Sequence, residues 1–570
     1  MNQRGSIDSD ANGIARSPVG DRRSQDGPSP DRFTRSHACQ LAAVALACAF
    51  IAAVNWRGDG LWFQGDSPRH AVNGLFFWDL VAAHPRDPID FTVRYYARYP
   101  VIAPATYPPL FYLLEGLGFA ILGPSPHVAK VLVLLFTMML GAYAIAWTRR
   151  RHGAAAGWAG VFLVFVPSIV IWSSTIMLNV PAAALGLGVL VHVRRWLEDR
   201  RPADRVCAVA LGVAVALTYY PGLIALCVCA VWALAMRRDR RRLDRRAFAI
   251  AALMAVALIP LVVSLALIPI HTVRQWPTLA YLASPATWMF YWTRLPDVIG
   301  WPALALGAIG SIAGALDPRW RSEVSCLLLW IVTIVGVFTL LPAKDPRYIL
   351  LVAPAFVFLS AIAVRRAVAV VRSGTEQAST LRQVVVLIAG LVLAAWSASR
   401  VAVPNVSGFR EVASYLRDTA PADAVLYDGP HDGTFGFYMR ALDPGFARRM
   451  VRADKVLYQY GPTTTFEWVE MSNVSTVSDV LRLLRSEAGC RWVAIEVSAR
   501  PPTVLARRLL RDAVQQPDVE LVRSFPIAGA GERRVDLYRL RGSIDADAAQ
   551  ELSFPAFSDR VFHGVHPIAR

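Results

Sequence analysis

Apolar runs of about 17–22 residues recur between residues 39 and 400, each long enough to carry a helix across ~30 Å of hydrocarbon. Inside a bilayer the backbone must satisfy its own polar groups, so runs of this length read as transmembrane helices. The expected fold is a polytopic α-helical membrane protein. Composition agrees, since 55% of the 570 residues are hydrophobic and mean hydropathy is +0.39. Residues 1–38 are rich in Ser, Gly, Pro, Asp and Arg without an apolar period, and read as a disordered cytoplasmic tail. No apolar stretch comes early enough in them for a cleaved signal.

The net charge of +17 would suggest nucleic acid in a soluble protein. Here the basic residues gather in short links between spans, as the positive-inside rule requires, so nucleic-acid binding is excluded. The links are RRRH (149–152), RRWLEDRRPADR (194–205), RRDRRRLDRR (237–246), DPRWR (317–321) and RRAVAVVRSGTEQASTLR (365–382). Placing them in the cytoplasm leaves two spans between successive links, beginning near residues 39, 128, 153, 180, 205, 222, 247, 297, 324, 348 and 383. About eleven spans put the N-terminus inside and the C-terminal region outside. The run PPLFYLLEGLGFAIL (108–122) is short and carries Glu115, so it reads as a helix lying on the outer surface, with a crossing helix as the alternative.

The transmembrane domain is thus expected over 39–400, with a large first outer loop at 56–127. An extracytoplasmic α/β domain is expected over 401–570. Its signals are a helical period at 410–421 and strands at 424–429, 491–498, 519–527 and 535–540, the last two joined by a Gly-rich hairpin turn. Six of the seven cysteines lie in or beside apolar runs and Cys490 stands alone, so neither a disulfide framework nor a zinc site can be built.

The residues least needed by a mere connecting loop sit at the outer ends of spans. Asp66 and His70 follow the first span; Arg94 and Arg98 lie in RYYARYP, shortly before Tyr107. Asn179 occupies the turn IMLNVP, Tyr219 and Tyr220 the turn LTYYPG, and Lys344, Asp345, Arg347 and Tyr348 the stretch PAKDPRY. If the spans bundle, a carboxylate faces a pair of cations on one outer surface. That arrangement suits transfer of a sugar from a lipid phosphate: the carboxylate takes a proton from the acceptor hydroxyl, and the cations neutralise the departing phosphate. Arg clamps phosphate through its fork and Lys acts as a point charge.

GDSPRHAVNG (65–74), YPPLFYLLEGLGFAILGPSPHVAKVL (107–132) and KDPRYILLVAPAF (344–356) resemble segments of the GT-C glycosyltransferases. Among these the chain is most similar to the group of protein O-mannosyltransferases, lipid A aminoarabinose transferases and rhizobial galacturonosyltransferases. The resemblance covers roughly 39–400. It implies an inverting transfer from a polyprenyl-phosphate sugar on the outer face of the bacterial inner membrane. By the same resemblance Asp66 is the base and Arg347 contacts the donor phosphate, with Lys344 and Tyr348 beside it. His70, Arg94, Arg98, Tyr107 and Asn179 are expected around the acceptor or sugar. Two positions depart from the group's pattern: Tyr107 stands where His or Lys is frequent, and Asn179 where an acid is frequent. The loss of that acid weakens any case for a divalent cation, which the sequence leaves open without supporting, and leaves room for a changed donor or acceptor; no cofactor is assigned.

Each residue also has a plainer reading. Asp66 is equally a helix N-cap, because DSPRH resembles a helix start. His70 suits packing better than metal ligation. Arg347 and Lys344 suit anchoring of a span end at lipid headgroups, and the tyrosines an interfacial belt. Glu115 is expected to face water or a basic neighbour. A transporter or flippase of a lipid-linked saccharide is the competing function, but carriers need ionisable groups at mid-span, and here charge gathers at span ends. A protein whose spans merely anchor the C-terminal domain would need one span. Donor sugar and acceptor (protein, lipid A or cell-wall polymer) are not encoded in any motif found.

Overall fold

A computed structural model describes residues 30–56, 60–61, 66–103, 107–224, 226–228, 278–341, 344–371, 376–420, 422–462, 468–498, 502, 504–529, 532–545, 552–553 and 561–562. The basic link 237–246, the span expected near 247 and most of that near 222 lie outside these residues.

The membrane helices start and stop where local chemistry dictates. α1 (Pro30–Asn55) begins inside the stretch read as a tail. α5 (Pro126–His152) is capped by Ser125, whose side chain accepts from the His127 amide at 3.2 Å, and has Pro126 in its first turn. It ends on Gly153 at φ +87°, with four basic residues in the last turn opposing the negative end of the helix. α6 (Ala159–Val164) and α7 (Pro167–Ser173) meet at a bend of 58°, where Pro167 cannot continue the hydrogen-bond ladder. α8 (Asn179–Asp199) and α9 (Pro202–Ala216) follow. α10 (Pro285–Ile299) and α11 (Trp301–Leu316) meet at 112° on Gly300, whose φ of +86° favours glycine. α12 (Arg321–Leu340), α13 (Ala353–Val371) and α14 (Glu376–Ser399) complete the bundle. Among the described residues five helices are long and apolar enough to cross a membrane, or up to seven spans if each bent pair counts as one.

The basic links meet at one end of the bundle. Arg150 pairs with Glu198 (2.8 Å) and Asp199 (2.6 Å). The buried carboxylate of Glu323 takes Arg151 (2.9 Å), His152 (3.4 Å) and the Trp147 indole (3.2 Å). Arg366 pairs with Asp317, and Arg365 lies over the Trp320 ring. Four of the five links therefore share a surface, as the charge pattern requires.

The opposite end carries the first loop and the C-terminal domain. α2 (Asp66–Ala83), α3 (Pro88–Arg98) and α4 (Leu110–Leu122) lie between α1 and α5. With 13 residues, α4 spans ~20 Å, too little to cross the hydrocarbon. Glu115 corrects an expectation: it is 1% exposed, turned against Gly74 of α2, and neither oxygen has a hydrogen-bond partner among the described residues. Burial holds its carboxyl well above the usual range, so it keeps its proton.

The C-terminal domain contains α15 (Phe409–Thr419), β1 (Ala424–Asp428), α16 (Asp432–Ala441), β2 (Arg449–Arg452), β3 (Tyr458–Pro462), β4 (Trp468–Ser472), β5 (Cys490–Ser498), α17 (Leu505–Ala513), β6 (Val519–Pro526) and β7 (Glu532–Leu540). Five strands form one sheet in the order β2-β1-β5-β7-β6. β2, β1 and β5 are parallel, whereas β7 and β6 join antiparallel as the expected hairpin. β2 is not legible in the sequence, because RMVR lacks apolar alternation; Arg452 is buried in ion pairs with Asp432 and Asp454, and Arg449 is buried with a donation to the Ala488 carbonyl. Phe409, Phe435 and Met439 share one apolar core with the bundle and with α2–α4, while a second core fills the other face of the sheet.

Close helix crossings make the bundle sensitive to single methyl groups. A Cβ at Gly310 would run into the carbonyl of Leu359, where α11 crosses α13. Gly310→Ala is expected to destabilise by about 1–3 kcal/mol, read as a lower thermal midpoint of the detergent-solubilised protein; an unchanged midpoint would contradict this crossing.

Candidate active site

Asp345, Pro346 and Arg347 build one half of the site. The Asp345 side chain accepts from the Arg347 amide at 2.9 Å, Pro346 presets the first turn, and a 3₁₀ turn (Pro346–Val352) leads into α13. Arg347 is thereby held at the end of a span, with its backbone fixed by its own sequence. Asn179, the first residue of α8, adds a hydrogen bond from Nδ2 to the Arg347 carbonyl at 3.3 Å.

Asp66 builds the other half. It is the first residue of α2, where the positive end of the helix favours a carboxylate. The adjacent Ser67 hydroxyl accepts from the Ile176 amide at 3.2 Å, tying this end of α2 to the turn between α7 and α8. The halves meet: Arg347 Nη2 lies 2.7 Å from Asp66 Oδ2, and Nε lies 3.2 Å from Asp345 Oδ2. The guanidinium is thus bracketed by two carboxylates, one from its own turn and one from a helix 281 positions earlier (347 minus 66). Burial pushes the Asp66 carboxyl up, but Arg347, His70 and Arg69 together outweigh it and hold the group below its usual range.

An aromatic wall surrounds the pair. His70, one turn after Asp66, is buried and hydrogen-bonds through Nδ1 to the Tyr112 hydroxyl at 2.7 Å. Burial pushes its imidazole down to about 4, so a neutral ring faces the site. The Tyr107 ring lies 5.0 Å from His70 and 6.0 Å from Tyr219. Tyr348 lies 5.4 Å from the Arg347 guanidinium and stacks on Phe338 at 5.2 Å. Burial raises the Tyr107 and Tyr219 hydroxyls above their usual range, so both keep their protons.

The structure therefore gathers Asp66, His70, Tyr107, Asn179, Arg347 and Tyr348, with Tyr219. It does not gather three other candidates. Lys344 donates to the Phe338 and Thr339 carbonyls at 3.1 and 2.6 Å, capping the end of α12, and lies over Tyr281 and Tyr291. Burial pushes its ammonium down to about 8. Arg94 pairs with Asp90 at 2.8 Å along α3, and Arg98 donates to the Phe446 carbonyl of the C-terminal domain. The role of Asp345 does not follow from the charges in PAKDPRY; its Asp-Pro spacing is the cap signal that gives it. Among the described residues no group of three or more His, Cys, Asp or Glu side chains could hold a metal ion.

No family model matches the sequence, and no curated protein does. Solved structures match the fold. ArnT from Cupriavidus metallidurans bound to undecaprenyl phosphate is 16% identical at a TM-score of 0.54, over 88% of this chain and 98% of that one. The oligosaccharyltransferase AglB from Archaeoglobus fulgidus, in complex with an inhibitory peptide and a dolichol-phosphate, is 12% identical at 0.52, over 81% and 70%. The mycobacterial arabinofuranosyltransferase AftD is 15% identical at 0.53, over 90% of this chain and 40% of that one. The chain shares its overall fold with these solved structures.

Proposed function

We propose that the protein transfers a glycosyl group from a polyprenyl-phosphate sugar to an acceptor hydroxyl, at the outer face of a bacterial inner membrane. The observation that carries this reading is the contact between Asp66 and Arg347 at the end of the bundle away from the basic links. The lipid phosphates named for the ArnT and AglB structures support the donor class. The clustering of basic links supports a cytoplasmic N-terminus and an extracytoplasmic C-terminal domain.

In this reading Asp66 takes the proton of the acceptor hydroxyl. The oxygen attacks the anomeric carbon from the side opposite the phosphate, inverting it. The carbon–oxygen bond to phosphate breaks, its electron pair stays on the phosphate oxygen, and Arg347 neutralises that charge. Lys344 is committed to the α12 carbonyls, so Arg347 carries this task with Asp345 as its fixed partner. His70, Tyr107, Tyr219 and Tyr348 offer ring faces and neutral hydrogen-bonding groups for a sugar, and Asn179 holds the Arg347 backbone.

The pairing also restrains the base. While Arg347 holds Asp66, the carboxylate is a weak proton acceptor. A phosphate that takes the guanidinium releases Asp66 and restores its basicity, so the base becomes active once the donor is seated.

Asp66→Asn is expected to fold, to lose transfer by roughly 10²–10⁴-fold, and to bind polyprenyl phosphate at least as tightly as wild type, because a competing carboxylate charge is gone. A wild-type rate would rule Asp66 out. Arg347→Gln should weaken polyprenyl-phosphate binding by roughly 10–100-fold, the loss of a charge-assisted contact; unchanged affinity would remove Arg347 from the donor site. The acid limb of kcat/KM reports the free enzyme, where Asp66 is depressed, and should lie below the ordinary carboxylate range. The acid limb of kcat, measured with donor on Arg347, should lie at higher pH; coincident limbs would mean that donor binding leaves the pair intact.

A further inference from the structure

The C-terminal domain grips α2 at two points, and the first is within one turn of Asp66. At the start of α16, Asp432 Oδ2 accepts from Arg69 Nη2 at 3.4 Å and pairs with Arg452 Nη1 of β2 at 2.8 Å. Arg452 in turn donates to the Pro100 carbonyl at 3.0 Å, so the same cation ties the domain to the end of the α3 segment. The next residue, Gly433, faces α2 so closely that a Cβ there would stand 2.9 Å from Pro68 Cβ and 3.5 Å from the Arg69 nitrogen.

The second grip is at the far end of α16. Arg440 makes a bidentate ion pair with Asp79, Nε to Oδ2 at 2.8 Å and Nη2 to Oδ1 at 2.5 Å. The Tyr95 hydroxyl donates to the same carboxylate at 2.8 Å, and the group is buried between α2, α3 and α16. Burying two charges is unfavourable unless both are well paired, so this contact tolerates little displacement. Arg69 and Asp79 are ten positions apart, ~15 Å along a helix. Contacts separated by that distance fix both the tilt and the rotation of α2. Upstream of the helix, Leu61 pairs its backbone with Val406 (3.1 and 2.8 Å), where the chain enters the C-terminal domain.

Arg347 has a different support. Its backbone is set by Asp345 and Asn179, both in the bundle. Ser67 also ties the Asp66 end of α2 to the bundle, but only the Asp66 half of the site is gripped by the C-terminal domain as well.

We propose that α16 is the positioning element for Asp66, with Asp432, Gly433 and Arg440 as positioning residues that keep the carboxylate in line with the acceptor. This rests on the reading of Asp66 as the base. A base must stay within hydrogen-bond reach of its proton, and a 1 Å misplacement can cost ~10²-fold in rate. The domain therefore acts on the proton-transfer half of the reaction and leaves the phosphate half alone.

The test compares Gly433→Leu and the near-isosteric Asp432→Asn with wild type in full-length protein, reading kcat and the affinity for polyprenyl phosphate separately. Both variants should lower kcat at least tenfold while phosphate affinity stays within twofold, and Asp432→Glu should restore part of the rate. A general loss of structure would instead lower rate and affinity together, and that result, like an unchanged kcat in either variant, overturns the proposal. Should Gly433→Leu not fold, Asp432→Asn decides alone. Asp66→Asn is measured alongside. If it keeps the wild-type rate, the base assignment fails; if it is inactive while Asp432→Asn is fully active, only the positioning role fails.

Discussion

A guanidinium between two carboxylates is the contact on which the rest of the site depends. Arg347 meets Asp345 from its own turn and Asp66 from α2. The two partners are not equivalent. Asp345 also caps the turn that carries Arg347, so separating them would unravel the local backbone. Asp66 belongs to another helix and has no such role, so it is the partner that an incoming oxyanion can replace without leaving Arg347 bare. A late span and the loop that follows α1 are thereby joined, although far apart in sequence.

Charge is sorted between the two ends. At one end Glu323 gathers Arg151, His152 and Trp147, and Arg150 is held by Glu198 and Asp199. These contacts neutralise links that would otherwise repel one another. At the other end acids and cations are divided between the bundle and the C-terminal domain, with Asp79–Arg440 and Asp432–Arg69 crossing the boundary. One apolar core runs from the spans through α2–α4 to α15 and α16. The domain is thus part of the structure that surrounds the site.

Much of this was legible because the signals are local. The apolar run from 128 and the basic link at 149–152 place α5, and KDPRY places Arg347 at the head of a late span. The hairpin of β6 and β7 follows from alternation around a Gly-rich turn. What escaped depends on partners distant in sequence. Arg98 donates to the carbonyl of Phe446, which no spacing within RYYARYP foretells. β2 is buried through arginines, against the rule that core strands are apolar. Glu115 is enclosed by α2 because Gly74 leaves room for it, whereas a charged residue in a short surface helix reads as solvated. Lys344 and Arg347 are three residues apart, yet one completes the end of α12 and the other begins a new turn, so their side chains part.

The most direct test of the central claim is an experimental structure with polyprenyl phosphate bound. The phosphate should lie within hydrogen-bond distance of the Arg347 guanidinium, with Asp345 still in contact and Asp66 released toward the space where an acceptor hydroxyl would stand. A phosphate bound elsewhere, with the Asp66–Arg347 pair intact beside it, would contradict the account.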